Sequence, residues 1–124
     1  MEKIILLIDD DQDELEIFEE AVKPLPATIS CKQALDLDEA LDMLKAFTPD
    51  YIFIDYNIPL TNGLECLKEL KALSLPANVK FIIYSNFIDE KTYTQAVALG
   101  AFCCMKKPSL TSELTENLKN ILIN

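Results

Sequence analysis

Short apolar runs punctuate this chain, each stopping at a polar residue and each followed by an amphipathic stretch. Ile4 to Ile8 ends in Asp9, Asp10 and Asp11, and Tyr51 to Ile54 ends in Asp55. Val79 to Tyr84 ends in Ser85, and Ala101 to Met105 ends in Lys106, Lys107 and Pro108. A weaker run, Thr28 to Gln33, alternates Ile29 and Cys31 with polar residues. Tyr51 to Ile54 is apolar at every position, as a strand covered on both faces must be. The intervening stretches carry helical spacing. Phe18, Ala21 and Val22 face one way before Pro24 and Pro26 stop the helix. Asp36 or Asp38 caps a helix bearing Leu37, Leu41 and Leu44, and Leu64, Leu67 and Leu70 mark another. Asp89 opens a helix with Tyr93, Ala96 and Val97 that ends at Gly100. The last runs from about Thr111 with Leu114, Leu118, Ile121 and Leu122 on one face.

Five strand and helix pairs with short connections predict a doubly wound α/β domain, a (βα)5 three-layer sandwich around a five-stranded parallel sheet. Right-handed crossovers then bring all five strand ends to one edge, where open parallel sheets bind ligands. Residues 1–124 are expected to form one domain, with no composition break and no internal sequence repeat.

Charge narrows the function. Against 11 Lys plus Arg stand 21 Asp plus Glu, a formal charge of −10, and eight of the acids fall between Asp9 and Glu20. A phosphate backbone is repelled by such a surface, so no nucleic-acid partner is expected. Asp13, Glu14, Glu16, Glu19 and Glu20 read as a solvated first helix whose amino end favours negative charge, with no function required. The chain has no histidine, and Cys31, Cys66, Cys103 and Cys104 lack the C-x-x-C spacing of a structural zinc site. They read as reduced thiols, with adjacent Cys103 and Cys104 pointing to opposite faces of a strand. There is no charged-then-apolar leader and no stretch of the roughly 20 apolar residues that spans a bilayer, so a cytoplasmic protein without a membrane partner is expected. With two glycines in all, Gly63 and Gly100, the Gly-rich loops of dinucleotide and P-loop nucleotide sites are excluded.

What remains is the set of strand endings. Adjacent carboxylates at Asp9 and Asp10 repel unless solvated or bridged by a cation, and Mg2+ suits them as a hard ion that takes one or two carboxylates and keeps several waters. Asp11 reads as a cap of the following helix. The order Ile4-Ile5-Leu6-Leu7-Ile8-Asp9-Asp10-Asp11, Asp55-Tyr56-Asn57-Ile58-Pro59-Leu60-Thr61-Asn62-Gly63, Tyr84-Ser85-Asn86 and Lys107-Pro108 resembles the receiver domain of two-component response regulators across the whole chain.

That resemblance implies a flavodoxin-like fold and a stand-alone phosphoacceptor. Asp55 would receive a phosphoryl group from a sensor histidine kinase or phosphotransfer protein and form an acyl phosphate. It implies that Asp10 and Asp55 ligate Mg2+ directly, that Asn57 lends its backbone carbonyl, and that Asp9 acts through a bound water. Ser85 would donate its hydroxyl to a phosphoryl oxygen and Lys107 would pair with the phosphate. Lys106 should point away, and the Lys107–Pro108 bond is expected to be cis. Such a protein catalyses only its own phosphorylation and dephosphorylation, and switches binding of a downstream protein target. A haloacid-dehalogenase-type phosphatase needs a second acid two positions after the acceptor, where Asn57 cannot transfer a proton.

Pro59 is read as shaping the loop after Asp55, and Gly63 as allowing a backbone conformation closed to residues with Cβ. Asn86 and Phe87 are expected to shield Asp55 from water. One position departs from the family pattern: three residues before Lys107, where an aromatic ring commonly reports phosphorylation, stands Cys104. Two alternatives follow, a phosphorylation-independent interaction module and a phosphate sink. Tyr84 and Tyr93 read as ordinary packing residues.

Overall fold

The computed structural model describes residues 2–123. Strands β1 (Glu2–Ile8), β2 (Thr28–Ala34), β3 (Tyr51–Ile54), β4 (Lys80–Ser85) and β5 (Cys103–Lys106) alternate with helices α1 (Glu14–Val22), α2 (Leu37–Met43), α3 (Gly63–Lys71), α4 (Glu90–Ala98) and α5 (Thr111–Leu122). All strand pairings are parallel and the order across the sheet is β2-β1-β3-β4-β5. The expected doubly wound, flavodoxin-like architecture is present.

Burial follows strand period. On one face Leu6, Ile8, Ile52, Ile54 and Ile83 pack with Leu67 and Leu70 of α3. On the other, Ile5, Leu7, Phe53, Ile82, Tyr84 and Met105 pack under Phe18 of α1 and Leu118 of α5. The Phe18, Phe53 and Tyr84 rings meet edge to face at 5.2, 5.3 and 6.0 Å, which fixes α1 over the ends of β3 and β4. The Thr115 hydroxyl donates to the Ala21 carbonyl at 2.8 Å and ties α5 to α1.

Helix starts are set by side chains. Asp36, Asn62 and Asp89 each accept from backbone N–H groups of the first turn. Asp36, not Asp38, supplies the α2 cap, accepting from the Glu39 N–H. Gly100 ends α4 with φ +103°, and the Ala101 N–H closes that end on the Ala96 carbonyl. For that reason β5 starts at Cys103 and not at Ala101.

Gly63 corrects the sequence reading. Its φ is not positive; the left-handed residue of the β3–α3 connection is Leu60, at φ 69° and fully exposed. Glycine is needed at 63 because a Cβ there would lie 2.8 Å from the Tyr56 Cα and 3.0 Å from the Asp55 carbonyl oxygen. The same close approach carries a 2.7 Å hydrogen bond from the Gly63 N–H to the Tyr56 carbonyl.

Candidate functional site

The order β2-β1-β3 reverses the direction of winding between β1 and β3, and a crevice opens beyond the carboxyl ends of strands at such a reversal. Ile8 pairs with Ile54, and the Asp55 N–H donates to the Ile8 carbonyl at 2.9 Å, so Asp9 and Asp55 leave the sheet side by side. Alternation places Asp9 after Leu7, Asp55 after Phe53 and Lys107 after Met105, all on the face that α1 covers.

Lys107 closes the cluster. Its ammonium donates to Asp9 Oδ2 at 2.9 Å and to Asp55 Oδ2 at 3.4 Å, and sits 5.5 Å over the Tyr84 ring. Burial works against the Lys107 charge, but the Asp9 hydrogen bond and the charges of Asp9, Asp55 and Glu14 outweigh it and raise the pKa. Asp55 is 9% exposed; burial and the Asp9 charge push its pKa up, against the Asn57 N–H at 3.2 Å and the Lys107 ammonium.

One carboxylate oxygen each from Asp9, Asp10 and Asp55 lies within 4.8 Å of the others. Opposite ligands of a magnesium ion with bonds of about 2.1 Å stand about 4.2 Å apart, so these hard oxygen donors suit that ion with at most a small closing movement. Asp9 is buried and Asp10 exposed. The Asp9 carboxylate already accepts from Lys107 and, through Oδ1, from the Asp11 N–H at 2.9 Å.

Ser85 is buried as the last residue of β4, but its hydroxyl makes no hydrogen bond to Asp55; its carbonyl accepts from the Lys107 N–H at 2.8 Å. Lys106 is exposed and outside the cluster, as read. Phe87 is 76% exposed, so its ring is not packed into the site, whereas Asn86 lines a cavity beside Lys107. No peptide bond is cis among the described residues, so Lys107–Pro108 is trans, contrary to the turn expected there. Tyr84 is a buried packing residue, whereas Tyr93 stands half exposed on α4. Cys104 is half-buried against the α3 side of the core and Cys103 against the α5 side, as strand alternation requires. Burial pushes the Cys31 and Cys66 thiols up to about 12 and Cys104 to about 11.

Two residues of the site were missed. Gln33, at the end of β2, donates through Nε2 to the Asp9 carbonyl at 2.7 Å and the Asp11 carbonyl at 2.8 Å, holding the acidic loop against the sheet. Glu14 is not a solvated helix acid: it is 5% exposed, with Oε2 4.0 Å from the Lys107 ammonium. Its position carries a signal, since 14, 18, 21 and 22 form the buried stripe of α1.

Burial is the main cause of a raised Glu14 pKa, with Asp9, Asp11 and Asp55 adding to it and Lys107 opposing it. A carboxyl whose pKa is higher folded than unfolded contributes stability below its unfolded value, and that contribution is lost as pH rises through the folded value. Glu14 and Asp55 are both of this kind. Acidifying the metal-free protein from neutral pH toward the ordinary carboxyl range should therefore stabilise it through these two groups. Urea midpoints measured across that window should rise more in wild type than in Glu14→Gln; equal slopes would show that Glu14 does not titrate abnormally.

A doubly wound domain with three carboxylates and one lysine gathered at its carboxyl edge defines the signal-receiver class of α/β proteins. The chain belongs to the response regulator receiver domain family, whose model matches residues 5–119. It is 28% identical over 120 residues to the phosphate regulon transcriptional regulatory protein PhoB of Pseudomonas aeruginosa, covering 97% of this chain and 52% of PhoB. It is 33% identical over 92 residues to a Clostridium acetobutylicum protein-glutamate methylesterase/protein-glutamine glutaminase, covering 73% of this chain and 26% of that protein. The chain thus spans about half the length of the first of these relatives and about a quarter of the second. Among solved structures, the phosphorylated cyanobacterial phytochrome response regulator RcpA superposes with TM-score 0.83 at 25% identity, covering 98% of this chain and 91% of that one. A CheY-like receiver domain from Methylobacillus flagellatus gives TM-score 0.78 at 27% identity, covering 98% and 99%. Among the described residues no helix is long and apolar enough to cross a membrane.

Proposed function

We propose that this receiver domain is a phosphoacceptor switch in which Asp55 takes a phosphoryl group from a histidine kinase or phosphotransfer protein. The observation that carries the reading is the placement of Lys107 between Asp9 and Asp55, beside a trio of carboxylates whose oxygens lie within 4.8 Å of one another. Asp10 and Asp55, with the Asn57 carbonyl and a water held by Asp9, would hold Mg2+. When bound, the ion offsets negative charge on the phosphoryl oxygens.

The protein's own groups position and compensate. An Asp55 carboxylate oxygen attacks phosphorus in line, the P–N bond to the donor histidine breaks, and the electron pair stays on the imidazole nitrogen, which takes up a proton. Lys107 moves from Asp9 onto the phosphoryl oxygens, and Ser85 turns its hydroxyl to donate to another. The Asn57 N–H, already on Asp55 Oδ1, keeps the carboxylate from rotating. Two charge-assisted contacts on the phosphate can bias a two-state equilibrium by several kcal/mol. Tyr93, Val97 and Phe102 leave apolar surface exposed on α4 and the approach to β5, a face suited to a downstream protein target.

A phosphorylation-independent module is the second reading, favoured by one observation: Cys104 offers no ring to turn inward. Incubation with acetyl phosphate and Mg2+ followed by intact-mass measurement separates the two. A base-labile increase of one phosphoryl group is expected in wild type and lost in Asp55→Asn. No increase in wild type would leave the binding-module reading in its place.

A further inference from the structure

The phosphoacceptor reading makes no use of Glu14, yet this carboxyl is among the most enclosed polar groups of the molecule, at 5% exposure. It is the first residue of α1, over the face from which Asp9, Asp55 and Lys107 project. One ammonium therefore faces three carboxylates, at 2.9 Å for Asp9, 3.4 Å for Asp55 and 4.0 Å for Glu14. Burying a carboxylate beside others of its own sign is unfavourable, and an apolar residue would suit the helix stripe better. A cavity of about 280 Å³ lies on this side of the lysine, lined by Asp11, Glu14, Tyr84, Asn86 and Lys107 among others, so the flexible stem has room to swing toward α1.

We propose that Glu14 is a positioning residue that competes with the phosphoryl group for the Lys107 ammonium, limiting how tightly the phosphorylated state is held. The inference rests on the phosphoacceptor reading. Lys107 must leave Asp9 to pair with phosphate, and Glu14 is a second carboxylate to which it can turn instead. The same negative charge favours cation binding at the neighbouring acids. Removing it therefore has two effects of opposite sign, whereas a packing role would weaken both kinds of binding together.

The test uses the full chain and two probes, Mg2+ alone and beryllofluoride at saturating Mg2+, the latter standing for a phosphoryl group on a carboxylate. Titration calorimetry of Glu14→Gln should show Mg2+ bound roughly threefold more weakly and beryllofluoride roughly three- to tenfold more tightly than wild type, the scale of one partly screened charge at this range. Glu14→Asp, which keeps the charge, should stay within about twofold of wild type for Mg2+. In a Lys107→Ala or Lys107→Met background, the beryllofluoride gain from Glu14→Gln should largely vanish. If the gain persists there undiminished, Glu14 acts on the anion directly and the competition is refuted. If Glu14→Gln weakens both probes, the residue is structural and the inference is likewise overturned. Should wild type bind no beryllofluoride while still binding Mg2+, the phosphoacceptor reading itself fails and takes this inference with it.

Discussion

Gly63→Ala is expected to destabilise the protein by about 2–3 kcal/mol and to impair the acidic site although residue 63 carries no functional group. The new methyl would meet backbone atoms, the Tyr56 Cα at 2.8 Å and the Asp55 carbonyl oxygen at 3.0 Å. A flexible side chain could step aside, but the backbone here is fixed from both directions. Gly63 N donates to the Tyr56 carbonyl and Asp55 N donates to the Ile8 carbonyl. Relief must come from moving the residue that carries the candidate acceptor carboxylate, so Mg2+ affinity should fall together with the urea midpoint. An alanine variant with wild-type stability and metal affinity would show that the loop yields without moving Asp55.

Lys107→Ala should produce the second large effect, and one that depends on metal. Removing the ammonium leaves Asp9, Asp55 and Glu14 facing one another across a site where each is no more than 9% exposed. Breaking a buried ion pair from one side costs about 3–5 kcal/mol, and the lower part of that range applies because the lysine side chain keeps 13% exposure. Metal-free Lys107→Ala should therefore lose about 3 kcal/mol. Millimolar Mg2+ should return much of this, because a cation that binds the folded state stabilises it by mass action and here replaces the missing charge. Denaturant melts with and without Mg2+ check the pattern; a loss of the same size in both conditions would mean that the lysine acts by packing on Tyr84 and not by charge.

The sheet was legible because its inner strands are covered on both faces, which turns Tyr51 to Ile54 and Phe81 to Tyr84 into uninterrupted apolar runs. The order of strand endings gathers Asp9, Asp55 and the Lys106-Lys107 pair at one edge, the family resemblance singles out Lys107, and in the structure the Lys107 ammonium is within hydrogen-bonding range of both carboxylates. What escaped the reading depended on contacts between distant segments. Gln33 reaches across from the neighbouring strand to the acidic loop, and nothing in its local sequence marks that reach. Glu14 was read by its charge and not by its place on the stripe with Phe18, so a buried acid passed for a solvated one. Gly63 was assigned the right constraint for the wrong cause, since local sequence shows a glycine but not the backbone that passes 2.8 Å from its missing Cβ. The strained left-handed conformation fell on Leu60, a residue with no composition signal for it.

The last strand carries a built-in pair of probes. Cys103 and Cys104 are consecutive and half-buried, one facing the layer of α1 and α5 and the other the layer of α3 and α4. Their rates of alkylation therefore report separately on the two sides of the sheet, in one unmodified chain and from residues a single peptide bond apart. A ratio of the two rates cancels differences in reagent and protein concentration. Whichever helical layer loosens around β5, the ratio identifies the side.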